Sequence, residues 1–150
     1  MSNYVSCYFS PKRGAAKTLI GFIDRCTETI DAAVYCITHD DVSSALVRAH
    51  ERGVQVRIIT DNLQASNKYS DDELLIETGI PLIRAKQSGC MHNKFVIGDN
   101  NAVGTGSFNW TLSADVRNRE NFVIIRLRYV VKQYQKEFDE MWSAFNLKDS

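Results

Sequence analysis

Between residues 3 and 83 the apolar residues switch repeatedly between strand-like runs and helix-like spacing, each switch marked by a turn or cap signal. Residues 3–9 form a short apolar and aromatic stretch ended by Ser10-Pro11, which predicts a strand. From 12 to 30, Ala15, Ala16, Leu19, Ile20, Ile23, Cys26 and Ile30 recur at the spacing of one buried helix face. Residues 31–37 are a near-continuous apolar run of strand length. Asp40 or Asp41 then caps a helix to Arg52, stopped by Gly53, and 54–59 is a second buried strand. Ser70-Asp-Asp-Glu reads as a capping box for a helix through Thr78, stopped by Gly79, before a strand at 80–83.

This β-α-β-α-β-α-β order predicts an α/β fold: a mixed, largely parallel central sheet with helices on both faces. Strands at 92–98, 102–105 and 121–125 extend it, with a polar turn at Asp99-Asn100-Asn101. From 127 to 145, Val131, Tyr134, Phe138, Met141, Trp142 and Phe145 mark a core-facing helix.

A length of 150 residues predicts one domain. Lys plus Arg equals Asp plus Glu, 18 each, so no global field draws the chain onto a polyanion and any such grip is local. Cys7, Cys26, Cys36 and Cys90 are far apart, without a Cys-x-x-Cys pair, and are expected to be buried free thiols rather than metal ligands. Residues 1–10 lack a signal-peptide pattern and no run of 18 apolar residues occurs, so no membrane contact is evident.

The chemistry concentrates around His92. Residues 92 and 94 of a strand share a face, so the His92 imidazole and the Lys94 ammonium stand side by side. With Asn100 and Asn101 central in a tight hairpin, Lys94 opposes Ser107 and His92 opposes Asn109, unless Gly104 or Gly106 carries a bulge. Such a patch suits a phosphodiester: Lys94 neutralises non-bridging oxygens, Ser107 and Asn109 donate, and His92 has a lone pair for phosphorus. A carboxylate holding the other ring N–H would stabilise the cationic ring formed on attack, and Glu120 is the candidate. Of the other histidines, His39 lies where a strand leads into a cap and His50 at a helix end, so neither is a strong candidate acid.

The stretch His92-x-Lys94, Asp99, Gly106-Ser107 and Asn109 resembles the HKD signature of the phospholipase D superfamily. Residues 53–61, 79–82, 106–111 and 119–121 extend the likeness to small single-motif members, the Nuc-type endonucleases and the Zucchini type. The resemblance implies that His92 forms a phosphohistidine, that Lys94, Ser107 and Asn109 hold the phosphate, and that Glu120 orients His92. Asp99 is expected to be structural, opening the hairpin turn. With a single signature, the missing acid and base come from His92 of a second copy, giving a homodimer with one shared site and no metal or other cofactor. Arg84, Lys86, Arg117 and Arg119 flank the motif and favour DNA, or else RNA, as substrate. The alternatives are a phospholipase D-type lipid hydrolase acting on a cardiolipin-like diester and a silent nucleic-acid-binding module. The compartment stays open between the periplasmic or secreted location suggested by the resemblance and the cytoplasm.

Overall fold

In β2 (Thr29–Val34) every residue after Thr29 is buried, as a strand covered on both faces requires. The computed structural model describes residues 3–65 and 67–147. β2 follows β1 (Val5–Phe9) and α1 (Ala15–Arg25), and leads through α2 (Asp40–Glu51) to β3 (Gln55–Asp61). The one-turn helix α3 (Asn62–Ala65), then α4 (Asp72–Glu77), connect β3 to β4 (Leu82–Ala85). The chain closes with β5 (Lys94–Gly98), β6 (Ala102–Gly106), α5 (Leu112–Val116), β7 (Asn121–Ile125) and α6 (Arg128–Asn146).

The strands form one seven-stranded sheet in the order β1-β7-β6-β5-β2-β3-β4. The mixed α/β architecture is as expected, but the largely parallel sheet is not. Among the described residues two pairings are parallel, β2 with β3 and β3 with β4. Four are antiparallel, joining β1 to β7, β7 to β6, β6 to β5 and β5 to β2. Parallel neighbours need a crossover, and only β2-α2-β3-α4-β4 supplies crossovers between adjacent strands. β1 lies at the far edge instead of beside β2.

Helices cover both faces. Leu19 and Ile23 of α1, Leu46 of α2 and Leu75 of α4 pack with Ile30, Val96 and Phe122 on one side. Val131, Phe138 and Phe145 of α6 pack with Ile59, Phe95 and Val103 on the other. Asp31, itself buried, ties the second layer down: Arg57 Nε and Nη2 donate to its two oxygens at 2.7 and 2.8 Å, and Gln135 of α6 adds a third bond at 2.8 Å. Phe108 and Trp110 are core residues, as strand-spaced aromatics usually are.

Two local readings change. The Ser70 capping box is absent: α4 starts at Asp72, and the Ser70 hydroxyl accepts from the Asp72 N–H at 3.3 Å. The β5–β6 turn is centred on Asp99 and Asn100, both at positive φ (51° and 48°), and Asn101 N–H donates to the Gly98 carbonyl at 2.9 Å. Asp and Asn tolerate this left-handed geometry, which suits the strand twist. The register therefore runs from Gly98↔Ala102 to Phe95↔Thr105, one residue away from the expected pairing.

Candidate active site

Lys94 begins β5, Gly106 ends β6, Asn121 begins β7 and Val34 ends β2, so antiparallel pairing gathers four strand ends at one edge of the sheet. Beyond that edge the chain is pinned from both sides of β2. Tyr35 N–H donates to the Asn93 carbonyl at 2.8 Å, while Trp110 N–H reaches the Cys36 carbonyl at 3.2 Å and Thr38 N–H the Trp110 carbonyl at 2.9 Å. The segments carrying His92 and Asn109 are thus both anchored to the run that continues β2.

His92 precedes β5 instead of lying within it, and its side chain is exposed. Lys94 Nζ stands 3.2 Å from Nδ1 and 3.4 Å from Nε2 of His92, and donates to the His92 carbonyl at 2.7 Å. Tyr35 walls the pair: its ring centroid is 4.7 Å from that of His92, and Lys94 Nζ lies 5.4 Å from it on the ring face. Burial pulls the Lys94 ammonium below the usual lysine range, against the opposing pull of Cys90 and Glu120.

The second half of the site is a hydrogen-bonded group on the β6 and β7 ends. Ser107 donates to Glu120 Oε2 and accepts from Asn121 N–H at 3.1 Å and Asn121 Nδ2 at 3.3 Å. Asn118 Nδ2 donates to Glu120 Oε1 at 3.2 Å, and Glu120 N–H reaches Ser10 Oγ at 3.1 Å. Gly106, at φ +150°, makes this possible, because a Cβ there would stand 2.3 Å from the Asn121 carbonyl oxygen. Asn109 is half-buried, and its Oδ1 is buried without a hydrogen-bond partner among the described residues; such orphaned acceptors are uncommon and each calls for a partner.

His92 and Lys94 therefore meet directly, as do Ser107 and Glu120. The expected bond from Glu120 to His92 is not made: among the described residues its oxygens are taken by Ser107 and Asn118. Pairing of β6 with β7, Gly106 opposite Phe122 and Ser107 N–H on the Asn121 carbonyl, brings Ser107 to Glu120. Asp99 lies at the other end of β5, its carboxylate accepting from the N–H groups of Thr27, Glu28 and Thr29 at 2.7 to 3.1 Å. Burial alone would raise its pKa, but the bonds from Glu28, Thr29 and Thr27 outweigh that and hold it below the usual carboxylate range.

His39 is buried, with Nε2 3.2 Å from Asp115 Oδ2, and His50 lies in the last turn of α2. Of the flanking cations, Arg117 and Arg119 are exposed, whereas Arg84 is engaged by Asp72 and Glu73. Cys26 and Cys36 are buried thiols; Cys7, on the edge strand β1, and Cys90, in the loop between β4 and β5, are exposed instead. Among the described residues no three His, Cys, Asp or Glu side chains are gathered to hold a metal ion, and no helix is long and apolar enough to cross a membrane.

Two supporting residues escaped sequence reasoning. Tyr35 approaches His92 only because β2 pairs with β5, sixty residues away in sequence. Asp61, buried at the end of β3, accepts from Met91 N–H at 2.9 Å and from Leu63 N–H at 3.0 Å, fixing the approach to His92. A buried carboxylate closing an apolar strand was the only sign of it in the sequence.

The pKa of Lys94 carries a pH prediction. The ammonium is lost on the alkaline side at a lower pH than for an ordinary lysine, so kcat/KM should decline there. Lys94→Arg, whose guanidinium stays charged, should move that decline to higher pH, whatever it costs at the optimum. An alkaline limb that stays in place in Lys94→Arg would dissociate it from Lys94.

Known proteins resemble this chain over most of its length. The family model described as "Cardiolipin synthase, PLD-like domain" matches residues 19–142. A Chlamydomonas reinhardtii protein named mitochondrial cardiolipin hydrolase is 34% identical over 139 residues, covering 93% of this chain and 62% of that protein. A Rickettsia felis protein named phospholipase D is 38% identical over 130 residues, covering 87% of this chain and 65% of its own length. The chain thus spans less than two thirds of either relative. Among solved structures, Nuc from Salmonella typhimurium, a phospholipase D family member, superposes with a TM-score of 0.88 at 31% identity, over 93% of both chains.

Proposed function

This chain belongs to the phospholipase D-like family, and from that premise we propose that it is a metal-independent nuclease, cleaving phosphodiester bonds of DNA or RNA through a phosphohistidine on His92. The observation that carries the reading is the exposed imidazole with an ammonium 3.2 Å from its ring nitrogen, beside the Ser107–Glu120 pair. In the first step the His92 lone pair attacks phosphorus and the leaving oxygen departs with a proton from a general acid. In the second, water freed of a proton by the conjugate base displaces His92 and completes the new phosphate.

Lys94 supplies the fixed positive charge that spreads over the non-bridging oxygens, with Asn109 and Ser107 as neutral donors. The Ser107 hydrogen points at Glu120 in the free chain, so Ser107 donates to phosphate only when Glu120 releases it. Glu120 is the carboxylate that steadies the imidazolium formed on attack, and that same release frees it to do so. Both His39 and His50 are badly placed as the acid, the first being buried and the second at a helix end. The His92 of a second copy fills that role in a homodimer with a shared site. With Lys94 contributed by each copy, the site has two ammonium groups where a metal would otherwise stand.

The nuclease reading is supported by the structural match to Nuc over nearly the whole chain. The second reading, hydrolysis of a cardiolipin-like diester, is favoured by the names of the curated relatives. One assay separates them: single- and double-stranded DNA, RNA and cardiolipin-containing vesicles, each with EDTA, against the native chain and His92→Ala. DNA cleavage by the native chain alone is expected. Lipid hydrolysis without nucleic-acid cleavage would establish the second reading, and activity lost in EDTA but restored by a divalent cation would refute metal independence.

A further inference from the structure

At the end of the sheet remote from His92, five residues line a cavity of about 270 Å³: Asn100 and Asn101 of the β5–β6 turn, Arg126 after β7, and Arg128 and Lys132 of α6. β7 separates it from the catalytic edge, since Asn121 starts beside Glu120 and Ile125 ends beside Arg126, a span of about 13 Å at ~3.3 Å per residue. Three of the lining side chains are cations, two are amides, and none is acidic.

What sets these cations apart is their convergence on one hollow, since other cations, Lys17, Arg117 and Arg119 among them, also meet no carboxylate among the described residues. Arg48, Arg52, Arg57, Arg84 and Lys136 all meet a carboxylate. Among the described residues Arg126, Arg128 and Lys132 have no such partner. In a chain with equal numbers of basic and acidic residues, a cluster left uncompensated is a matter of placement rather than composition. The carboxylate of the adjoining turn makes no ion pair with these cations: Asp99 lines a smaller hollow beside Arg126, its oxygens taken by the N–H groups of Thr27, Glu28 and Thr29. Arg25 adds a fourth cation, sharing that smaller hollow with Arg126.

Guanidinium forks and amide N–H groups converging on a recess are the donor set for a phosphate group. A flat anionic membrane is met by protruding cations and apolar side chains that insert, whereas these five line a polar hollow. We propose that this cleft is a second phosphate site, which holds the backbone of a bound nucleic acid remote from the scissile bond. The proposal rests on the nuclease reading and deepens it: a strand long enough to reach from one end of the sheet to the other gains affinity from both.

The test uses binding, so that it does not depend on turnover. In a His92→Ala background, the affinity for a single-stranded oligonucleotide of about 20 nucleotides is measured against salt, with and without Arg126→Ala, Arg128→Ala and Lys132→Ala together. Losing three phosphate contacts should weaken binding on the order of tenfold or more and reduce the slope of log K against log salt by about 2. The same triple change in the native chain should leave hydrolysis of bis(p-nitrophenyl) phosphate, too small to reach the cleft, unaltered, which also reports that the protein still folds. Unchanged oligonucleotide affinity and slope in the triple variant would overturn this proposal while leaving the nuclease reading intact. So would loss of binding to anionic phospholipid vesicles with oligonucleotide binding retained. Failure of the His92→Ala protein itself to bind any oligonucleotide would defeat the nuclease reading, and this site with it.

Discussion

Alanine at position 92 is expected to lower phosphodiester cleavage by about 10⁴-fold or more, because removing the proposed covalent nucleophile removes the step and not merely a contact. The fold should be untouched: His92 is exposed, precedes β5, and contributes no side chain to either core layer. His92 acts twice in the proposed pair, as nucleophile in one copy and as acid in the other. Mixing native and His92→Ala chains, under conditions that exchange subunits, should therefore yield mixed pairs that lack one of the two roles and are inactive. A monomer with full activity, or activity that falls only in proportion to the native fraction, would remove the second role. Cleavage that survives in His92→Ala would point to another nucleophile.

The second large effect concerns stability. Asp99→Ala removes a carboxylate that accepts from three successive backbone N–H groups, those of Thr27, Glu28 and Thr29, between α1 and β2. Bonds to a charged acceptor contribute about 1.5–3 kcal/mol each, and water reaches this half-exposed loop to replace part of them, so a loss of about 3 kcal/mol is expected at neutral pH. The sign of the pH dependence follows from the direction of the Asp99 shift. Its folded pKa lies below its unfolded one, so the contribution is fully present above the unfolded value, roughly pH 4, and disappears as pH falls through the folded value. Melting of native and Asp99→Ala chains should differ most at neutral pH and converge in acid. Equal stability at pH 7 would show that solvent replaces all three bonds.

Asp99 and His92 together show how far the sequence could be read. The helix–strand alternation and the HKD spacing are local patterns, and they located β2, α2, β3 and α6 and the residues at the catalytic edge. Strand partners are not local. Nothing in residues 5–9 says that β1 crosses to the far edge to join β7, and nothing in residues 29–34 says that β5 pairs antiparallel with β2. The sheet was therefore expected to be more parallel than it is, and Tyr35 was passed over. The hairpin register failed for a narrower reason. Asp99, Asn100 and Asn101 all tolerate positive φ, and the choice of centre was made by Asp99, whose side chain is held by amides some seventy residues away. Glu120 meets Ser107 for a separate reason: β6 pairs with β7, Gly106 opposite Phe122, which brings Ser107 to the start of β7.

The most direct test of the proposal is to trap the intermediate. Rapid acid-free quenching of the native chain with a phosphodiester substrate, followed by mass spectrometry of its peptides, should find one phosphoryl-bearing adduct on His92, stable in alkali and lost in acid. The adduct should appear within the first turnover and be absent from His92→Ala. Full turnover with no adduct on His92, or with the adduct on another side chain, would contradict the account.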